Sequence, residues 1–154
     1  MTTDPLTIIL AEDDDGHADL IRRNLGRAGL TNVFFRVKDG QEVLELLRGE
    51  GESVGLSIVG NYLLLLDINM PRVDGVEVLR QIKADPKLAS TPVIMLTTTD
   101  DPREVERCYH YGCNVYITKP VAYEKFVEAI RQLGLFLQVV KVPANGRGSS
   151  ETLT

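Results

Sequence analysis

The sequence predicts an α/β domain built on a parallel sheet. Two observations carry this: short apolar β-type runs alternate five times with segments of helical periodicity, and three of those runs are apolar on both faces. Strands of that kind sit in the middle of a sheet with helices packed on each side. At 154 residues, 44% hydrophobic and 25% charged, the chain is long enough to bury a real core as one globular domain.

The first strand is "LTIILA" (6–11), followed by a helical stripe of Ala18, Leu20, Ile21, Leu25 and Ala28 that stops at Gly29. The second, "VFFRV" (33–37), alternates more and belongs at a sheet edge. Val43, Leu44 and Leu47 mark a short second helix, and the Gly- and Ser-rich "GEGESVGLSIVGN" (49–61) reads as an extended loop. The third strand is "YLLLL" (62–66), and Val76, Leu79 and Ile82 form a helix ended by "ADP" (84–86). "VIML" (93–96) precedes a fourth helix that starts after "DDP" and carries Val105, Cys108 and Tyr109. The last pair is "VYIT" (115–118) and the longest helix, with Phe126, Ala129, Ile130, Leu133 and Leu137 at helical spacing. Five such pairs resemble the flavodoxin-like, doubly wound (βα)5 architecture with strand order 2-1-3-4-5. The domain is expected over 6–142, including an extended C-terminal helix or arm, with flexible termini at 1–5 and 143–154.

Charge and composition narrow the function. A net charge of −5 and a pI of about 5.1 offer no basic footprint for nucleic acid. No apolar run reaches the roughly 18 residues a membrane helix needs, and "MTTDPLTIIL" lacks a basic leader region. Cys108 and Cys113 have no metal-ligand pattern around them, which fits free thiols in a reducing cytoplasm. Proteins or small ligands are the expected partners.

In an open parallel sheet ligands bind outside the carboxyl ends of the strands, at the point where strand order reverses. Here that point lies between strands 1 and 3. Strand 1 runs into "EDDD" (12–15), strand 3 into Asp67, strand 4 into Thr97 and strand 5 into Lys119. In "LLLLDINMPRVDG" (63–75) the leucines anchor Asp67 at the lip of the core, with its carboxylate projecting into the cleft. Crowded acids repel, and a hard, oxygen-seeking dication relieves them. Mg²⁺ suits the site because it binds through a few carboxylates and takes a further ligand from phosphate. Lys119 adds a positive charge and Thr97 a hydroxyl donor. The array points to phosphoryl transfer onto an aspartate. Asp14 and Asp15 read as N-cap residues of helix 1, and His17 and His110 as surface histidines without a partner nearby in sequence.

"AEDD", "LLDINMPRVDG", "LTT" and "YITKP", in order and each at a strand end, together resemble the receiver domain of two-component response regulators. The likeness implies that Asp67 accepts a phosphoryl group from a histidine kinase. It also implies that Glu12 and Asp13 hold Mg²⁺ with Asp67 and the backbone carbonyl of Asn69. Lys119 would pair with the phosphate, Pro120 would follow a cis bond, and Thr97 and Tyr116 would form a switch pair. Asn69 and Thr99 fall at positions that influence phosphoryl lifetime in the family. Glu12 departs from the commoner Asp.

The fifth helix should bury Phe126, Ile130, Leu133, Leu137 and Val140, leaving Leu135, Phe136, Val139 and Val142 off that stripe and in need of a partner surface. This ending, with "TTTDDPREVERCYHYGCNVYITKPV", resembles small single-domain response regulators paired with bacterial and cyanobacterial phytochromes. That resemblance implies a light-sensing histidine kinase, or bacteriophytochrome, upstream and a homodimer through helix 4, strand 5, helix 5 and the extension. With no output domain after helix 5, the expected output is another protein, a phosphoryl shuttle to a further histidine, or feedback on the kinase, and the sequence does not choose among these. The alternative is a constitutive pseudo-receiver that binds partners without phosphorylation, although no acid or lysine is missing. Enzyme readings fit poorly. A haloacid-type hydrolase wants a second Asp where Asn69 stands, and in a flavodoxin "EDDD" would repel the cofactor phosphate. The expectation is a signalling protein that catalyses only its own phosphorylation and dephosphorylation.

Overall fold

The computed structural model describes residues 6–49 and 61–140. Residues 50–60 of the glycine-rich loop before the third strand, the termini expected to be flexible, and Val142 lie outside the described residues, while Gly49 caps the second helix and Asn61 opens the third strand. Five strands and five helices alternate: β1 (Leu6–Ala11), α1 (Asp15–Arg27), β2 (Phe34–Val37), α2 (Gly40–Arg48), β3 (Asn61–Leu66), α3 (Gly75–Ala84), β4 (Val93–Thr97), α4 (Pro102–Tyr111), β5 (Val115–Thr118) and α5 (Tyr123–Leu137). All pairings are parallel and the order is β2-β1-β3-β4-β5, as the sequence predicts.

Alternation along the strands splits the core into two layers. Ile9, Ala11, Leu64, Leu66, Val93 and Met95 face α2, α3 and α4, whose Val43, Leu47, Leu79, Ile82 and Cys108 close that layer. Ile8, Leu10, Leu63, Leu65, Ile94 and Leu96 face α1 and α5, meeting Ile21, Leu25, Phe126, Ile130 and Leu133. Each fully buried Leu or Ile contributes about 1.5–3 kcal/mol, so the leucine run of β3 anchors both layers at once. Helices α1 to α4 start alike: Asp14, Asp39, Asp74 and Asp101 each accept a first-turn backbone N–H, from His17, Glu42, Glu77 and Arg103 at 2.8–2.9 Å. The capping role read for Asp14 is therefore what the residue does, while Asp15 opens the helix itself.

Two local expectations change. Tyr109, placed on the buried stripe of α4, is 48% exposed. Its hydroxyl turns to the sheet edge and accepts the backbone N–H of Tyr116 at 3.0 Å, a partner that helical periodicity does not register. The Lys119–Pro120 bond is trans, since no peptide bond among the described residues is cis. Trans is the intrinsically favoured isomer of an X–Pro bond, by about 0.5–1 kcal/mol.

Candidate functional site

Register sets the level of every residue in the crevice. Ala11 stands opposite Leu66 across β1 and β3, so the next residues, Glu12 and Asp67, leave the sheet side by side. The N–H of Asp67 donates to the Ala11 carbonyl at 3.1 Å, which continues the ladder one step beyond the strand. Across β4 and β5, Thr97 stands opposite Thr118, and Lys119 donates its N–H to the Thr97 carbonyl at 2.7 Å. Behind Asp67 the chain returns closely. Gly75 donates to the Ile68 carbonyl at 2.8 Å, and a Cβ on Gly75 would stand 2.0 Å from the Asp67 carbonyl oxygen. Any larger residue there displaces the backbone that carries Asp67.

The side chains converge on one cation. Lys119 is 3% exposed; its Nζ makes a short hydrogen bond to Glu12 Oε1 and a second to Asp67 Oδ2 at 3.2 Å. Glu12 and Asp67 are themselves buried, whereas Asp13 is exposed at the mouth. Burial pushes the Glu12 carboxyl up to about 7; the hydrogen bond from Lys119 opposes this and the charge of Asp67 adds to it. The Glu12 backbone carbonyl accepts Arg36 Nε–H at 2.8 Å, which ties the first acid to the β2 edge.

One carboxylate oxygen from each of Glu12, Asp13 and Asp67 lies within 4.8 Å of the others. Three carboxylates without His or Cys make a hard donor set, and with one exposed member it is open to solvent on one side. Such a set fits a small hard divalent cation that keeps some of its water.

The remaining predicted residues line the same end of the sheet. Asn69 is exposed, and its backbone N–H donates to Asp67 Oδ1 at 3.4 Å. Thr97 is fully buried, and its Oγ1 accepts the Thr99 N–H at 3.4 Å. Tyr116 is half-buried against the α2–α4 layer and donates its hydroxyl to the Thr99 carbonyl at 2.5 Å. Its phenol is pushed up to about 12, chiefly by burial. Thr97 and Tyr116 thus meet on the backbone of Thr99.

One residue of the crevice was not legible as such. His17, expected at the surface, is half-buried, with Nδ1 3.2 Å from Lys119 Nζ and its ring edge-on to Phe126 at 5.6 Å. The available signal was its place in the first turn of α1, directly after the acidic loop. His110 is exposed, as expected.

Comparison with known proteins places this geometry. The family model described as "Response regulator receiver domain" matches residues 8–131. A response regulator receiver domain from Rhodospirillum rubrum superposes with a TM-score of 0.83 at 48% identity, covering 92% of this chain and 99% of that one. The phosphorylated cyanobacterial phytochrome response regulator RcpA gives a TM-score of 0.81 at 33% identity, over 89% and 97% of the two chains. Response regulator Rcp1 of Synechocystis sp. is 30% identical over 91% of this chain and 95% of its own. Its Mn²⁺-bound structure superposes with a TM-score of 0.83, covering 91% of this chain and all of that one. Carboxylates and a lysine at the strand ends of a 2-1-3-4-5 sheet, matched over most of the chain's length, make this protein a member of the response regulator receiver domain family, related to the phytochrome-associated single-domain regulators.

Proposed function

We propose that Asp67 accepts a phosphoryl group from the phosphohistidine of a sensor histidine kinase and that the acyl phosphate switches the protein's interaction surface. The observation that carries this reading is the buried Lys119 ammonium bridging Glu12 and Asp67, with Asp13 completing the acidic cluster. An oxygen of Asp67 attacks phosphorus, the P–N bond breaks, and its electron pair leaves on the imidazole nitrogen. Glu12, Asp13 and Asp67, with the backbone carbonyl of Asn69, would hold Mg²⁺, which supplies positive charge for the phosphoryl oxygens. Lys119 pairs with another of those oxygens. The Thr97 hydroxyl turns toward the phosphoryl group, and Tyr116, held through Thr99, responds to that movement. The chain catalyses its own phosphorylation in this way and its own slow dephosphorylation, in which water attacks phosphorus and the Asp67 oxygen leaves with the electron pair of its P–O bond; the protein's role is signalling, in the cytoplasm.

A phytochrome-type kinase is the donor we assign, supported by the likeness to RcpA. The output surface is α4, β5, α5 and the segment after it, through which we propose a homodimer. Tyr109, Val121, Tyr123, Leu135, Phe136 and Val139 are large hydrophobic residues left exposed there. Monomeric mass by light scattering at tens of micromolar would rule out the dimer.

Beryllofluoride with Mg²⁺, an acyl-phosphate mimic, tests the central claim on wild type and Asp67→Asn by tyrosine fluorescence. The expected result is a saturable, Mg²⁺-dependent response in wild type that Asp67→Asn lacks. No response in either protein sinks the phosphoacceptor reading and leaves a constitutive binding module.

A further inference from the structure

An ammonium has three N–H groups, and in a buried site each needs an acceptor. Lys119 spends one on Glu12 Oε1 and one on Asp67 Oδ2 at 3.2 Å; the third lies 3.2 Å from His17 Nδ1. For Nδ1 to accept, the imidazole is neutral and carries its proton on Nε2. The ring is held from two further directions. Its backbone N–H is fixed by the Asp14 cap at 2.9 Å, and the Phe126 ring of α5 stands edge-on at 5.6 Å and 77°. The first turn of α1, the end of β5 and the start of α5 therefore meet on one imidazole, although His17 and Lys119 are 102 residues apart.

We infer that His17 is a positioning residue of this site: its Nδ1 lone pair takes the third N–H of Lys119 and leaves a single N–H directed at Asp67. The inference rests on the phosphoacceptor reading. The nucleophile is a carboxylate oxygen, and every N–H placed on it withdraws lone-pair density from attack. With His17 in place, the ammonium is shared among three acceptors and keeps its position beside the incoming phosphoryl group. Without it, the freed N–H turns to the nearest anion, and Asp67 is bound more tightly by the group that should assist it.

The test uses the full chain and acetyl phosphate as donor. The P–O bond to the acetyl group breaks as the bond from Asp67 oxygen to phosphorus forms, and acetate leaves with the electron pair. His17→Leu keeps the packing against Phe126 and removes the acceptor. His17→Asn places an amide oxygen where Nδ1 stood. At saturating Mg²⁺ the Leu variant should take up phosphoryl about tenfold more slowly, the scale expected when a charged hydrogen bond or a reacting group's position is lost. The Asn variant should recover to within about threefold of wild type, a rescue that a purely structural role would not produce. A Leu variant at the wild-type rate, or an Asn variant as slow as the Leu variant, overturns the inference. Long-range ¹⁵N correlation of the His17 ring adds a readout that needs no phosphoryl transfer. If wild type takes up no phosphoryl group, the reading of Asp67 falls, and the tautomer alone then decides. A proton on Nε2 supports the Lys119 contact, and a proton on Nδ1 overturns it.

Discussion

Glu12 is a carboxyl group held where its charged form is poorly solvated, with a single cation shared between it and Asp67. Its folded value of about 7 lies above the ordinary 4.5, so between those pH values the folded chain keeps a proton that the unfolded chain has shed. The stabilisation is complete below 4.5 and is lost as pH rises to about 7. In metal-free buffer the urea midpoint should therefore fall between those limits for wild type and stay flatter for Glu12→Gln. Equal slopes in the two proteins would contradict this account. The thiols of Cys108 and Cys113 are pushed up to about 12 and 11, chiefly by burial, and both side chains are buried. Neither should react with a thiol reagent at pH 8 until the chain unfolds; stoichiometric labelling of native protein would refute that. At this scale the sequence was informative where chemistry coincides with a strand end. Asp67, Thr97 and Lys119 follow directly from their strands, whereas His17 was illegible because its partner is remote in sequence. Tyr109 misled for a related reason, since the apolar period of α4 carries no sign of its hydroxyl bond to Tyr116.

Helices α1 and α5 approach closely because Gly134 has no side chain. A Cβ there would lie 2.7 Å from Ala28 Cβ, closer than any relaxed contact. Gly134→Val should cost about 1–3 kcal/mol in denaturant unfolding, despite its better intrinsic fit than glycine to a helix in most hosts. A neutral result would mean that α5 can slide along α1. The same reasoning separates what the pattern could show from what it could not. Helical periodicity identified Phe126, Ile130, Leu133, Leu137 and Val140 as the buried stripe, and the structure buries the first four and leaves Val140 partly buried. It could not assign Gly134, because an absent side chain leaves no hydrophobic signal. Strand boundaries shifted by one residue at β2, β3 and β4, where the ladder rather than side-chain character decides the end.

For the whole molecule, the fold was legible because the strand order places the polar ends of β1 and β3 at the point where the winding reverses. Cation binding at that point should stabilise the entire domain, since the acids come together only when the sheet is formed. Mg²⁺ at a hundred times its dissociation constant should add about 2.7 kcal/mol, and Asp13→Ala should abolish the gain in thermal melts. An unchanged melting temperature with Mg²⁺ would count against a metal at these carboxylates.

The Tyr109 hydroxyl on the Tyr116 N–H has a further effect on how molecules of this protein can meet. β5 is an edge strand, and an edge is a template for another strand wherever its outward N–H groups are free. Here one of them is already taken by a side chain from the strand's own preceding helix. Intermolecular extension of the sheet at β5 would have to break that bond first. The Tyr109 hydroxyl therefore acts as a guard on this edge, adding the loss of one hydrogen bond to any strand-on-strand pairing while leaving the neighbouring side chains untouched.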